Sequence, residues 1–322
     1  MNPLVTQSDL FGLPVGLPKQ RPLLERFLVP PFTVLDARQG YWQRRKREWG
    51  VLGLRGEEGG REGTLLKAQQ VASFDYYRVK EGLRETTDTR STSVFDPVLC
   101  ECVYRWFCPP GGRVLDPFAG EATKGIVAAY LGYQYTGIEL RQEQIAANEE
   151  QAAKIGVAPQ WLRGDSAGLS ELLCFEEDYD LIFTSPPYYD LEIYSKAEKD
   201  GSAFKTYERF MGWYEDIFWQ AAARLKPNRF LVVKVGEIRD DKGFCRNFVG
   251  DNIACFLRLG LRYYNEAVLV TVVGSLPVRV GKSFGGYRKL GKTHQNLLCF
   301  WKGNDAKAIK EELGELTDAS HD

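Results

Sequence analysis

Arg113-Val114-Leu115-Asp116-Pro117-Phe118-Ala119-Gly120 is the stretch whose reading decides the fold. The apolar pair Val114-Leu115 closing on an acid reads as a short buried strand, Pro-Phe-Ala-Gly ends it in a tight turn, and residues 122–131 read as a helix. A strand, a glycine loop and a helix in that order form a cradle for a ligand. Gly120 lets the backbone come close, the start of the helix offers unpaired N–H groups, and Asp116 can receive a cationic ammonium. A second strand over residues 135–138 ends in Glu139, close to the offset of about 20 residues at which Rossmann-like folds place an acid on ribose hydroxyls. The expected ligand is a nucleoside. A nicotinamide dinucleotide calls for G-x-G-x-x-G, and here Gly120 is the sole loop glycine before Gly125, so no second glycine admits a pyrophosphate.

The second signature follows another apolar run. Leu181-Ile182-Phe183 reads as a buried strand and leads into Thr184-Ser185-Pro186-Pro187-Tyr188. The exocyclic amine of cytosine or adenine is a poor nucleophile because its lone pair is delocalised into the ring, so acceptors must draw on its N–H bonds. The Ser185 hydroxyl and the Pro186 carbonyl can supply them, with Pro186 and Pro187 stiffening the backbone. Tyr188 offers a flat face on which an extruded base can stack. No strong base is required, because the amine loses its proton after the methyl group has arrived. That suits a chain with two histidines. A rigid turn with an exposed ring is the alternative reading of the tetrapeptide.

With these two loops the chain resembles the S-adenosylmethionine-dependent amino-methyltransferases of DNA, DPFAG matching the cofactor loop and TSPPYY the catalytic loop. The resemblance covers roughly residues 90–303. It implies a Rossmann-like class I methyltransferase fold, an α/β domain with a mostly parallel, doubly wound seven-stranded sheet and an antiparallel last strand. It also implies S-adenosylmethionine as cofactor and double-stranded DNA, with its target base flipped, as partner. Residue by residue, it places Asp116, Pro117, Phe118, Ala119 and Gly120 around the methionine end of the cofactor, Glu139 on the ribose, Asp165 near the adenine and Thr184 beside the cofactor. Ser185 to Tyr188 surround the target base. Residues 91–97, with Thr92 and Phe95, resemble the family's helix-leading motif that closes over the cofactor. The stretches GYWQRRKREW, TSPPYYDLEIYS and RKLGKTHQNLLCFWKG are similar to bacteriophage-borne DNA methylases of this size.

The chain departs from the family where Glu121 and Ala122 follow the loop glycine in place of small residues. Serine at the head of the catalytic motif is commoner in enzymes for the N4 of cytosine than for the N6 of adenine, whereas the order of the two loops is unusual for cytosine enzymes. Both bases stay open, cytosine slightly ahead. Methylation of RNA or of a protein glutamine uses related loops headed by asparagine, and a catalytically inactive DNA-binding relative is a further alternative.

Composition sets limits on these readings. The 322 residues, 44% hydrophobic and 13% aromatic, suffice for a sizeable core. No apolar run is long enough to cross a bilayer and no secretion signal is visible, so a cytoplasmic enzyme without membrane contact is expected. The seven cysteines include no C-x-x-C pair, so reduced core thiols are expected rather than a metal site. Methylation at carbon-5 of cytosine needs a Pro-Cys nucleophile, and the chain has none.

Beyond residue 90, strands are expected near residues 114, 135–138, 160–162, 181–183, 230–235, 267–273 and 297–301, with helices at 122–131, 142–155, 207–225 and 251–259. Residues 1–89 form an extension holding a Gly-rich linker at 50–63 and a basic-aromatic cluster in which Arg44, Arg45, Lys46 and Arg47 lie between Trp42 and Trp49. Such a cluster suits phosphates and stacked bases, or else packs its tryptophans on the main domain. With a formal net charge of −1, attraction to nucleic acid must come from local patches. Residues 267–304 hold no acid, and a DNA-facing loop is expected near 274–295 with Arg279, Lys282, Arg288, Lys289 and Lys292. A solvated loop is the bland alternative. Residues 304–322 read as a charged tail.

Overall fold

Apolar runs with no alternation need cover on both faces, and the strands that carry them occupy the middle of one sheet. The computed structural model describes residues 23–54, 95–173, 178–189, 204, 206–273 and 276–316. The strands are β1 (Val34–Asp36), β2 (Arg113–Asp116), β3 (Gln134–Glu139), β4 (Gln160–Arg163), β5 (Tyr179–Thr184), β6 (Leu225–Val235), β7 (Arg262–Val270) and β8 (His294–Trp301). They form an eight-stranded sheet in the order β1-β7-β8-β6-β5-β2-β3-β4. All pairings are parallel except those of β8, which runs antiparallel to both β6 and β7. The doubly wound α/β class expected from the sequence is the observed one, with one strand more than the seven expected. The extra strand is β1, which comes from the N-terminal extension and pairs with β7 in parallel.

Helices cover both faces. We number the longer ones α1 (Gly40–Val51), α2 (Pro97–Phe107), α3 (Thr123–Tyr130), α4 (Gln142–Ile155), α5 (Tyr207–Ala223), α6 (Phe248–Arg258) and α7 (Leu276–Tyr287). Residues from α1 to α4 share one core cluster with Val114, Phe183 and Val232, whereas α5 and α6 share the other with Leu115, Ile182 and Val233. Alternate residues of each strand therefore feed opposite cores. Helix α2 begins where the sequence allows it to: Asp96 accepts from the amides of Val98 and Leu99, and Pro97 needs no partner for its nitrogen. Helix α4 ends at Gly156, whose φ of 84° only glycine adopts without strain. Cys100 and Cys102 are buried thiols of α2.

Two segments differ from expectation. The region 274–295 is not simply a loop, because α7 occupies most of it; its Pro277 and three glycines hid a helix from sequence reasoning. The basic-aromatic cluster forms α1 and faces inward. Trp42 and Trp49 are buried, their indole N–H groups donating to Asp96 (3.1 Å) and Glu101 (3.0 Å). Arg45 makes a two-pronged contact to Glu101, both N···O distances 2.8 Å, while Lys46 reaches Asp96 at 3.2 Å. Arg105 completes the partners of Glu101, whose side chain is fully buried, so the α1–α2 contact rests on a satisfied buried charge. Arg44 and Arg47 remain exposed.

Trp49→Ala is expected to lower the stability of the whole chain by about 3–5 kcal/mol in denaturant titrations. Arg44→Ala and Arg47→Ala, on the exposed face of the same helix, should change it by no more than about 0.5 kcal/mol.

Candidate active site

The order β4-β3-β2-β5-β6 reverses direction between β2 and β5, and the crevice outside the carboxyl ends of strands at such a switch point is where open α/β sheets take ligands. Both sequence signatures end there. Asp116 closes β2 and Thr184 closes the neighbouring β5.

The Asp116 carboxylate is completely buried. Lys124, from the first turn of α3, lies 2.6 Å from its Oδ2, the Tyr135 hydroxyl donates to the same oxygen at 2.8 Å, and the Phe118 amide donates to Oδ1 at 3.1 Å. Burial, then the Asp116 charge, push the Tyr135 hydroxyl well above its ordinary pKa, so it stays a donor. A carboxylate has about four lone-pair sites, and these three donors leave room for a further one. Lys124 also donates to the Phe118 carbonyl at 2.9 Å, bracing the turn from within.

The loop itself is held at each end. Ala119 donates its amide to the Ile138 carbonyl at 3.0 Å, and Gly120 has a φ of 60°. Asn148 donates to the Gly120 carbonyl at 2.8 Å, and behind it Gln144 and Arg141 extend a chain of side-chain hydrogen bonds, each 2.9 Å. A methyl group on Gly137 would lie 2.8 Å from Cβ of Ala119, so that glycine is what lets the loop close onto β3. Glu121, the departure noted in the sequence, has a structural task. One of its oxygens accepts from the Phe95 amide at 3.2 Å and the other from the amide and hydroxyl of Thr123 at 2.9 and 2.7 Å. It thus starts α3 and ties the segment before α2 to the loop. Phe118 packs on Trp213 and Phe218 on the far side.

The other expected ligand-binding residues line the same edge. Glu139 at the end of β3 accepts from the Arg141 amide at 2.9 Å. Asp165 caps a 3-10 turn through the Ala167 amide at 3.0 Å, and Ser166 next to it donates to the Pro117 carbonyl. Phe95 meets Phe183 edge to face at 5.6 Å between centroids. Thr184 is fully buried, and its hydroxyl has no hydrogen-bond partner among the described residues. Thr92 lies outside the described residues.

Just after β5 the hydroxyl of Ser185 donates to the carbonyl of Lys234 at 3.1 Å. Pro186 and Pro187 are buried, and the Tyr188 ring lies 5.8 Å from that of Phe248. Tyr189 joins Tyr207 and Phe210, with the Arg246 guanidinium 5.0 Å from the Tyr189 ring and 5.1 Å from that of Tyr207. An aromatic wall therefore borders the tetrapeptide from Ser185 to Tyr188. Residues 190–203 are outside the described part.

The basic residues expected to face DNA divide. Lys292 is drawn toward this site: it donates to the Glu237 carbonyl at 3.2 Å, and both its ammonium and the Tyr188 hydroxyl border Gly236. Burial lowers its pKa. Arg288 donates to the carbonyls of Phe284 and Gly285 and so caps α7, and Lys289 packs on Gly243. Lys282 is exposed on α7; the Arg279 side chain is outside the described part.

Sequence reasoning missed Lys124, Lys234, Asn148 and Gly137. Of these Lys234 had a visible signal, a lone charge inside the apolar run of residues 231–235. Its side chain is 8% exposed. Desolvation first, then the neighbouring Lys124 charge, lower its pKa to about 8, while Cys100 on α2, Asp96 before it and Glu121 act in the opposite direction.

No protein-family model and no curated protein matches the chain. Similar solved structures include TrmN from Thermus thermophilus, at 20% identity and a TM-score of 0.43 over 65% of this chain and 49% of that one. A methyltransferase from Pyrococcus furiosus aligns at 14% identity and a TM-score of 0.43, covering 74% and 100% of the two chains. A SAM-dependent methyltransferase from Thiobacillus denitrificans, in complex with S-adenosyl-L-homocysteine, aligns at 14% and 0.44, covering 70% and 98%. This chain spans about half the length of TrmN. The likeness extends no further than the overall fold.

The lowered pKa of Lys234 implies a stability signature. A lysine whose folded pKa lies below its unfolded value carries fewer protons when folded, so its destabilising effect is complete below about pH 8 and fades as the pH rises toward that of a free lysine. Lys234→Met should therefore be more stable than the parent at neutral pH by on the order of 3 kcal/mol. That gap should narrow between pH 8 and about 10.4 in denaturant titrations.

Proposed function

We propose that this protein is an S-adenosylmethionine-dependent methyltransferase acting on the exocyclic amine of a base flipped out of double-stranded DNA, the N4 of cytosine ahead of the N6 of adenine. The observation that carries the reading is the meeting of the Asp116–Gly120 loop and the Ser185–Tyr188 loop on adjacent strands at the switch point of the sheet. One loop suits a nucleoside with an amino-acid tail, the other a planar amine.

The residues present fit the cofactor. Gly137 lets the loop close onto β3 and Gly120 adds no side chain at its turn, Asp116 retains an open lone pair for an ammonium, and Glu139 stands one strand over at the position suited to a ribose. The buried Thr184 hydroxyl, unpartnered within the chain, is a polar group of the kind a bound ligand satisfies. When bound, the cofactor supplies a methyl group on a sulfonium, which needs no metal and no covalent enzyme intermediate to leave.

The chain's own task is to hold the amine. Because the Ser185 O–H is directed to the Lys234 carbonyl, its lone pairs face away from that bond and are left to accept from the amine, as is the Pro186 carbonyl. The two acceptors draw electron density toward the nitrogen as it attacks. Tyr188, backed by Phe248, supplies the stacking face. For the duplex, α7 and the residues just after it offer an acid-free surface on which Phe284, Tyr287 and Leu290 are exposed beside Lys282.

Mass analysis of nucleosides from DNA and RNA incubated with the protein and S-adenosylmethionine tests the reading. N4-methyldeoxycytidine is expected, or N6-methyldeoxyadenosine. Methylated ribonucleosides alone would overturn the DNA assignment, and no methylation of either would overturn the activity. Ser185→Ala is expected to bind the cofactor as the parent does while turning over roughly a hundredfold more slowly.

Lys282→Ala should reduce the slope of log affinity against log salt by about 0.9 if that side chain neutralises one phosphate. An unchanged slope would remove α7 from the DNA surface.

A further inference from the structure

A strand buried on both faces has no place for a charge unless something meets it. Lys234 lies near the carboxyl end of β6, between Val233 and Val235, each 0% exposed, and its own exposure is 8%. Its ammonium sits 3.9 Å from the centre of the Phe95 ring. Among the described residues it makes no hydrogen bond and no ion pair.

The nearby charges are already engaged. Lys124, 5.3 Å from the same ring, has Asp116 and the Phe118 carbonyl as partners. Glu121 accepts from Phe95 and Thr123. Asp96 accepts from Trp42, Lys46 and the start of α2. Two ammonium groups thus lie over one ring with one directly paired carboxylate, Asp116; Asp96 and Glu121 favour the Lys234 charge without touching it, so among the described residues its only direct contact partner is the face of a ring. The repulsion from Lys124 opposes that charge. Nothing in the packing of β6 requires this charge: Leu297, the register partner of Lys234, is apolar, and both belong to the side of the sheet that holds Phe183 and Phe95. A buried cation with no anion in contact among the described residues, at the edge of the sheet where the two loops meet, is the imprint of an anionic ligand group.

We propose that Lys234 binds the carboxylate of the methionine portion of the cofactor, so that the amino-acid end is recognised as a zwitterion, its ammonium by Asp116 and its carboxylate by Lys234. The inference rests on the cofactor reading above. Lys124, held by Asp116, keeps that carboxylate from repelling the incoming one, and the Phe95 ring contacts both ammonium groups while its amide is fixed by Glu121. Lys234 is a binding residue, and no bond is made or broken at it.

Equilibrium binding of S-adenosylhomocysteine and of its decarboxylated analogue, which keeps the amine and lacks the carboxylate, tests the proposal in the full chain. The parent is expected to prefer the carboxylated ligand at least tenfold, and Lys234→Met to bind the two within about twofold of each other. Methionine has a similar length and no charge, so its packing in the apolar run is preserved; Lys234→Gln serves the same purpose if the first variant does not fold. A parent with no preference, or a variant that keeps the parental preference, overturns the proposal while leaving the cofactor assignment standing. A parent that binds neither ligand overturns the cofactor assignment and this inference with it.

Discussion

A carboxylate in a fully dry setting must be neutralised where it stands, and at Asp116 this requirement orders the candidate site. The partners of the carboxylate come from three different pieces of chain: Tyr135 from β3, Lys124 from α3 and the Phe118 amide from the loop between β2 and α3. Meeting the charge therefore fixes the turn after β2, the rotation of α3 and the approach of β3 together. Removing the acid by mutation would strand the Lys124 ammonium, at a cost of about 3–5 kcal/mol, so Asp116→Ala would report folding before it reported ligand binding. Gly120, whose carbonyl is held from outside by Asn148, can be changed without uncovering a charge.

Charge committed inward also explains why the N-terminal region is part of the main body. Arg45 and Lys46 look in sequence like a patch for phosphates, but Glu101 and Asp96 of the α2 region claim them, and the two tryptophans use their N–H groups on the same acids. A basic cluster read without its partners overstates the charge available to a ligand. The same holds in the 274–295 region, where Arg288 closes its own helix and Lys292 turns toward Glu237. Among the described residues of these two clusters, what is left for a polyanion is a narrower set, Lys282, Arg44 and Arg47, beside exposed aromatic surface on α7.

How much of this was legible in the sequence depends on whether the signal was local. Strands β2, β5 and β8 were readable because a buried strand needs an unbroken apolar run, and the loops after β2 and β5 because proline and glycine punctuate them. Strand β1 was not, since three residues on the sheet edge with one buried side chain have no period to detect. Helix α7 was hidden by the glycines at 281, 285 and 286, which lower helix propensity while leaving the helix to be fixed by its surroundings. Asn148 and Lys124 are ordinary surface residues in any helical reading, and their roles exist only because α3 and α4 bring them to one loop.

Lys234 joins the two halves of the site through a single residue. Its carbonyl, in the plane of the sheet, receives the Ser185 hydroxyl, and its side chain, standing off one face, reaches Phe95. The parallel register that sets Thr184 against Val233 makes this possible, because it brings the first residue after β5 alongside the next residue of β6. On the proposed reading, the main chain of Lys234 orients the acceptor for the amine while its ammonium anchors the tail of the methyl donor. The distance between nucleophile and donor is then governed by the pairing of two buried strands rather than by a mobile loop. Rigid strands hold reacting groups more closely than loops do, and a site with no strong base has positioning as its main means of acceleration.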